Sequence, residues 1–146
     1  MSLNRIFDIA GSAMSAQSMR LNTTASNIAN ADTASSSTDE VYRARKPVFA
    51  AVQQSVMETG FNTAFTDTPE SQGVEVKGIV ESDAPLDMRY QPDHPMANDD
   101  GYVMYPNVNV VEEMTDMLSA SRSFQTNVDV MDAAKTMMQR ILTLGQ

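Results

Sequence analysis

The 146-residue chain carries 19 acidic and 10 basic residues, which gives a formal net charge of −9. The absence of cysteine excludes a disulfide framework, a zinc–thiolate site and a thiol nucleophile. The acidic balance argues against a nucleic-acid-binding protein, because that class needs a clustered basic face to meet phosphates.

The N-terminal segment predicts a long helix that Ser2 caps and that ends near Ala29 and Asn30. Asn30 is expected to end it in the left-handed conformation. Apolar residues recur at alternating intervals of four and three, which forms one packed face interrupted by Gln17 and Thr24. The apolar members of that face are Leu3, Phe7, Ala10, Met14, Leu21 and Ile28. The other faces hold small polar residues, which suggests close contact with protein on several sides.

The central segment, residues 32–107, holds all six prolines and most of the negative charge. Residues 58–107 contain ten acidic residues against Lys77 and Arg89, a net charge of −8. Such a segment is either a solvated exterior or a surface that faces cationic partners.

Short alternating patterns in this central segment predict β structure. We expect a Ser/Thr-rich flexible linker at Asp32–Glu40, a mobile loop at Gly60–Gln72 and turns at Gln91–Pro95 and Asn98–Gly101. The predicted strands are an edge strand from Val41 to Phe49, strands at Val74–Glu81 and Leu86–Tyr90, and a short final strand at Tyr102–Tyr105.

The C-terminal segment predicts a second long helix, from about Val110 to Leu144. Asn109 can cap it, with Glu112 at the capping-box position. Its seam keeps a spacing of three and four, and its principal members are Val110, Met114, Met117, Phe124, Val128, Met131, Met138 and Ile141. Methionine is flexible, so such a seam suits surfaces that pack in slightly different ways.

Together these elements predict an α+β protein with three segments. Residues 1–31 form an N-terminal axial helix, residues 32–107 a linker and a small β-rich insert, and residues 108–146 a C-terminal axial helix. The long helices are expected to form a coiled-coil-like hairpin. The spacing alone does not separate helices that pack within one chain from helices that pack against other subunits.

The sequence offers no catalytic or metal-binding motif, so we predict neither an enzyme nor a cofactor. His94 lies between Asp93 and Pro95 and is interpreted as a turn residue, because no motif places a nucleophile near it. Asn98–Gly101 resembles part of a calcium loop, but Met96 and Asn107 then occupy ligand positions that need carboxylates.

Neither a membrane span nor a cleavable secretory signal is expected. No apolar run approaches the ~20 residues that a transmembrane helix needs. Asp8 follows Ile6 and Phe7 at once, so the continuous apolar core of a signal peptide is missing.

Four runs in the two terminal segments strongly resemble signatures of the bacterial flagellar rod and hook proteins. They are Ala13–Leu21, Ala25–Thr33, Pro106–Met114 and Ala120–Asn127. The signature positions are Gln17, Arg20, Asn27, Asn30, Asn109, Glu113, Arg122 and Asn127. The centre resembles that of the proximal rod proteins, through the residues Tyr42-Arg43, Pro47-Val48-Phe49, Gly73-Val74, Tyr90, Pro92-Asp93-His94-Pro95 and Gly101-Tyr102-Val103.

This resemblance implies a structural subunit of the proximal rod of the flagellar basal body. Members of the family leave the cytoplasm through the flagellar type III export apparatus and assemble in the periplasm. Their terminal helices pack around the export channel, and the rod transmits torque. The implied partners are copies of the chain, other rod proteins, and the inner-membrane ring and rod-junction proteins. The alternative is a monomeric, type III-secreted helical-hairpin effector or translocator with a binding role.

Overall fold

The computed structural model describes residues 3–53 and 71–144 of the chain. Helices α1 (Leu3–Asn30) and α2 (Val110–Leu144) are its two long elements. The strands between them are β1 (Arg45–Gln53), β2 (Ser71–Glu81), β3 (Asp87–Tyr90) and β4 (Tyr102–Tyr105). In the described residues β1 pairs with β2 and β3 with β4, as two two-stranded sheets. The predicted α+β class with a small β insert is therefore confirmed.

The described residues belong to two compact units, and both long helices contribute to each. The first unit contains α1 up to Ser18 and α2 from Ser121. The second unit contains α1 from Met19, α2 up to Ala120, and the β3–β4 sheet.

Helix α2 has the predicted bounds, and its cap explains where it begins. The side-chain oxygen of Asn109 accepts hydrogen bonds from the backbone amides of Val111 and Glu112, at 3.1 and 3.4 Å. These bonds satisfy amides that have no partner inside the helix. The carboxylate of Glu112 accepts instead from Nζ of Lys46, at 3.0 Å, so it serves an ion pair rather than a capping box.

Helix α1 ends where predicted, but by a different mechanism. The predicted left-handed Asn30 is wrong, because the only positive φ angles in the described residues belong to glycines. The side-chain amide of Asn30 donates to the carbonyl of Ser26, at 2.8 Å. The Asn30 carbonyl accepts from the amide and the hydroxyl of Thr33, at 3.1 and 2.7 Å. A turn closed by side chains ends this helix.

The first strand begins later than predicted. Residues 41–44 are not β structure, and β1 begins at Arg45. The amide of Ala44 donates to the side chain of Asn107, at 2.8 Å, and the amide of Arg45 donates to the side chain of Asn27, at 2.9 Å. Side chains thus take the place of a partner strand. The strand predicted from Val41 is wrong over its first four residues.

The later strands follow the prediction closely. Strand β3 pairs antiparallel with β4, with Met88 opposite Met104 and Tyr90 opposite Tyr102. Strand β2 begins at Ser71, so the end of the predicted Gly60–Gln72 loop is strand. Residues 60–70 of that loop, and the predicted Ser2 cap, lie outside the described residues.

The predicted linker is anchored to β4. Ser35 is buried and forms an isolated β-bridge with Met104. Its amide donates to the Met104 carbonyl at 3.0 Å, and its carbonyl accepts from the Met104 amide at 3.1 Å. Two backbone hydrogen bonds therefore fix the middle of the Asp32–Glu40 segment to the sheet.

Within the first unit, β2 lies directly against α1 at Gly73. The amide of Val74 donates to the hydroxyl of Ser12, at 3.1 Å, and that hydroxyl donates to the Ile9 carbonyl, at 2.9 Å. Gly73 is buried with a φ of 137°, and a Cβ atom there would overlap the Ser12 hydroxyl. Glycine is therefore required for this approach.

Replacing Gly73 with alanine is expected to lower the free energy of unfolding by about 2 kcal/mol, because the new methyl group clashes and the backbone is strained. Urea unfolding of the purified protein measures the change. Gly78→Ala in the same strand is the matched control, because a Cβ there meets nothing within 4 Å. Equal stability of the two variants would contradict this account of β2 packing.

Candidate assembly interface

Few large apolar side chains are buried within the described residues. The buried apolar residues are small, and the largest fully buried side chains are Val103 and Asn27. Six of the buried residues are alanines: Ala10, Ala16, Ala31, Ala44, Ala120 and Ala134. Apolar area that a monomer leaves uncovered marks a surface for another protein. The large apolar side chains that the helices leave exposed are therefore the candidate interface residues.

The first turns of α2 expose an apolar stripe. Val111 is 73%, Met114 60% and Leu118 55% exposed. Spacings of three and four place the three residues on one side of the helix. The stripe lies opposite Glu113 and Ala120, which are both buried. The outer side of this part of α2 is therefore apolar rather than charged.

The predicted seam positions differ in burial. Ala10 is buried. The half-buried positions are Phe7, Met14, Leu21 and Ile28 in α1 and Met117, Phe124, Val128, Met131 and Met138 in α2. Val110, Met114 and Ile141 are exposed. The side chain of Leu3 lies outside the described residues. The role of these positions in packing between subunits stays a prediction.

The covered face of α2 follows a register that the predicted seam matches only in part, at Met117, Phe124, Met131 and Met138. Its members are Glu113, Met117, Ala120, Phe124, Asn127, Met131, Ala134 and Met138, which are buried or half-buried at strict intervals of four and three. Two of its members are polar, so apolar periodicity alone did not find it. Both polar members are positions of the family signature, and that signature is the sequence signal by which they could have been found.

The exposed face of α1 is lined by small side chains. Its members are Asp8, Ser15, Ser18, Asn22, Ala25 and Ala29, and the half-buried Gly11 completes the intervals of three and four. A Cβ at Gly11 would meet nothing within 4 Å, so no described neighbour requires glycine there. Glycine inside a helix costs about 1 kcal/mol relative to alanine. Small side chains let a second helix approach closely.

Asn27 holds the chain that enters β1. Its side-chain oxygen accepts from the hydroxyl of Tyr42, at 2.8 Å, and from the amide of Arg45, at 2.9 Å. Its side-chain amide donates to the Arg45 carbonyl, at 2.8 Å. Arg45 also stacks on the Tyr42 ring and pairs with Glu81, at 2.8 Å. This fully buried asparagine imitates a β-strand partner.

Asn107, just before α2, also joins separate segments through its side chain. Its side-chain oxygen accepts from the amide of Ala44, and its side-chain amide donates to the carbonyls of Ser82 and Ala84, at 3.3 and 2.9 Å. The amide of Ser82 donates in turn to the Ala44 carbonyl, at 2.8 Å. One side chain therefore joins the start of β1 to the segment that follows β2.

Two ion pairs connect α2 to earlier segments of the second unit. Arg20 of α1 pairs with Asp116 at 2.7 Å, and Lys46 pairs with Glu112 at 3.0 Å. The hydrogen bond that Lys46 donates to Glu112, with the nearby charges of Glu113 and Asp116, raises the pKa of Lys46 above its ordinary value of 10.5, against the opposing effect of burial. These pairs join the first turns of α2 to α1 and to β1.

The remaining signature positions, Gln17, Asn127 and Arg122, differ in their surroundings. The side-chain oxygen of Gln17 is buried, with no hydrogen-bond partner among the described residues. Asn127 donates from its side-chain amide to the Ser123 carbonyl, at 2.8 Å, and Arg122 is exposed. The structure thus brings Arg20, Asn27 and Asn109 into contacts with other residues of the second unit.

The described residues hold no arrangement that indicates a metal site, since no group of three ligating side chains comes together among them. His94 lies in the predicted turn, where its Nδ1 accepts from the amide of Met96 at 3.1 Å. Gly101 has a φ of 80° at the end of the predicted Asn98–Gly101 turn. No helix in the described part of the chain is long and apolar enough to cross a membrane.

Two family models match the parts of the chain that contain the helices. The family described as flagella basal body rod protein matches residues 7–34. The family described as flagellar basal body rod FlgEFG protein C-terminal matches residues 99–144.

Curated relatives match over the full length. The chain is 47% identical to the flagellar basal-body rod protein FlgC of Yersinia enterocolitica and 46% identical to FlgC of Salmonella typhimurium, with all of both chains covered in each case. FlgC of Borreliella burgdorferi is 34% identical, and the match covers all of this chain and 99% of that relative.

Proposed function

The chain belongs to the family of flagellar basal-body rod proteins named FlgC, and on that premise we propose that its terminal helices join it to neighbouring subunits of the proximal rod. It is a structural subunit of the flagellar basal body rather than an enzyme.

The observation that carries the proposal is the apolar stripe of Val111, Met114 and Leu118. A helix of a folded monomer normally directs charged residues to solvent and buries its apolar face. Here the open side of the first turns of α2 is apolar, whereas the opposite side is covered in the subunit. A helix segment that is covered on one side and apolar on the other suits a layered assembly, in which it packs against its own subunit and against a neighbour.

We propose that α1 and α2 pack as an antiparallel hairpin. The ion pair between Arg20 and Asp116 supports this arrangement, because it joins the second half of α1 to the first turns of α2. The small face of α1 then meets the helices of a neighbouring subunit. Contact between two different surfaces that does not close on itself builds a helical polymer. Such a polymer surrounds the export channel with its helices and transmits torque through many modest contacts.

We further propose the cellular setting of this assembly. The subunit leaves the cytoplasm through the flagellar type III export apparatus and joins the rod in the periplasm. Its partners are copies of itself, other rod proteins, and the proteins of the inner-membrane ring and the rod junction. Residues 1–32 carry the export information.

Deletion of the gene, followed by complementation with a tagged copy, tests this function. We expect the deletion to abolish swimming and purified basal bodies from the complemented strain to contain the tagged chain. The chain recovered only as a free monomer in the culture medium, from cells that swim without it, would instead support a secreted effector.

A further inference from the structure

The outer face of the β3–β4 hairpin carries an apolar and aromatic surface that is separate from the exposed faces of the two helices. Met88 is 62% and Tyr90 65% exposed, and Tyr102 is also exposed. Met88 lies opposite the half-buried Met104, and Tyr90 lies opposite Tyr102, so all four side chains share one face of the sheet. This hairpin face turns away from Val103, which is fully buried.

The hairpin face has a defined shape. The rings of Tyr90 and Tyr102 meet edge to face, with centroids 5.3 Å apart. Asn98 accepts from the amides of Asp100 and Tyr102 at 3.1 and 2.8 Å, which closes the turn beside them. A Cβ at Gly101 would come within 3.0 Å of the Tyr90 ring, so glycine permits this ring position. A preorganised aromatic surface loses little conformational entropy on binding.

Carboxylates line the loop beside the hairpin face. Asp93, Asp99 and Asp100 are exposed, and none of them forms an ion pair within the described part of the chain. Asp87, in strand β3 itself, is paired with Arg89 at 2.9 Å. An apolar centre with a polar rim is the usual anatomy of a protein interface, and here the rim is acidic.

We propose that the hairpin face docks a different protein, one that presents an apolar side chain surrounded by lysine and arginine. The charge of the rim selects this partner over a second copy of the hairpin, because every copy carries the same carboxylates and like charges disfavour contact. The proposal rests on the proposed function, since the rod is where the partner meets this surface.

Photo-crosslinking from position 88 in basal bodies tests the proposal. A benzoyl-phenylalanine at Met88 is expected to crosslink to a protein other than this chain, through a peptide rich in lysine or arginine. The double substitution Asp99→Lys with Asp100→Lys should lower the crosslink yield roughly tenfold, because two rim charges reverse. Asp99→Asn with Asp100→Asn removes the two charges without reversing them and should lower the yield less. This neutral variant serves as the test if the lysine variant assembles poorly.

The matched control reverses two charges elsewhere, by Asp39→Lys with Glu40→Lys, and should leave the yield unchanged. Each sample is first checked for the chain in purified basal bodies, so a failure of rod assembly is distinguished from a failure of docking. With the chain present, a crosslink only to a second copy, no crosslink, or a yield that ignores the rim charges would overturn the proposal.

Discussion

Replacing Met114 with aspartate is expected to abolish swimming while the subunit still folds and is still exported. Met114 is 60% exposed in α2, so the subunit loses little packing. In the assembled rod the new carboxylate would be buried without a partner, which costs several kcal/mol.

Circular dichroism of the purified variant and swimming in soft agar measure the two halves of this prediction. Leu21→Asp and Phe124→Asp, at half-buried seam positions, should also abolish swimming while export remains possible. Ser36→Asp adds the same charge at an exposed position outside the helices and should swim normally. Normal swimming of the Met114 variant would remove the apolar stripe from the assembly interface.

Replacing Asn27 with alanine is expected to lower the free energy of unfolding by about 3 kcal/mol. Asn27 is fully buried and forms three hydrogen bonds, two with the backbone of Arg45 and one with the hydroxyl of Tyr42. Each lost bond costs about 1 kcal/mol, and a buried group left without a partner costs up to about 3 kcal/mol. Urea unfolding of the purified variant measures the total change in the free energy of unfolding.

Two further variants sharpen the Asn27 test. Asn27→Asp preserves the shape but removes the donor to the Arg45 carbonyl and buries a charge, so it should destabilise at least as much as alanine. Asn22→Ala changes an exposed asparagine of the same helix and should alter stability by less than about 0.5 kcal/mol. A small effect for both Asn27 variants would show that the hydrogen bonds of Asn27 to Arg45 and Tyr42 contribute little to stability.

The ends of the long helices could be predicted because their determinants are local. Asn109 caps α2 two residues before the first amide that it accepts from, and no proline interrupts either helix. The start of β1 could not be predicted in this way. The amide of Ala44 is satisfied by Asn107, which lies 63 residues later in the sequence. No pattern within the strand itself records that contact.

The candidate interface was only partly predictable for a similar reason. The apolar seam correctly marked both helices, but it merged two registers of α2. Met114 belongs to the open stripe, whereas Met117 and Phe124 lie on the covered face. The buried Glu113 and the half-buried Asn127 lie on the covered face, and their polarity hides them from a search for apolar periodicity. Burial in the folded chain was needed to separate the stripes.

Cysteine labelling at position 114 tests the central claim most directly, because the native chain has no cysteine. Met114→Cys is treated with a maleimide in the purified subunit and in intact basal bodies, with Thr38→Cys at an exposed linker position as the control. We predict fast labelling at position 114 in the subunit and protection in the basal body, with the control position labelled in both. Equally fast labelling of Cys at position 114 in both samples would contradict the claim that neighbouring subunits cover this face of α2.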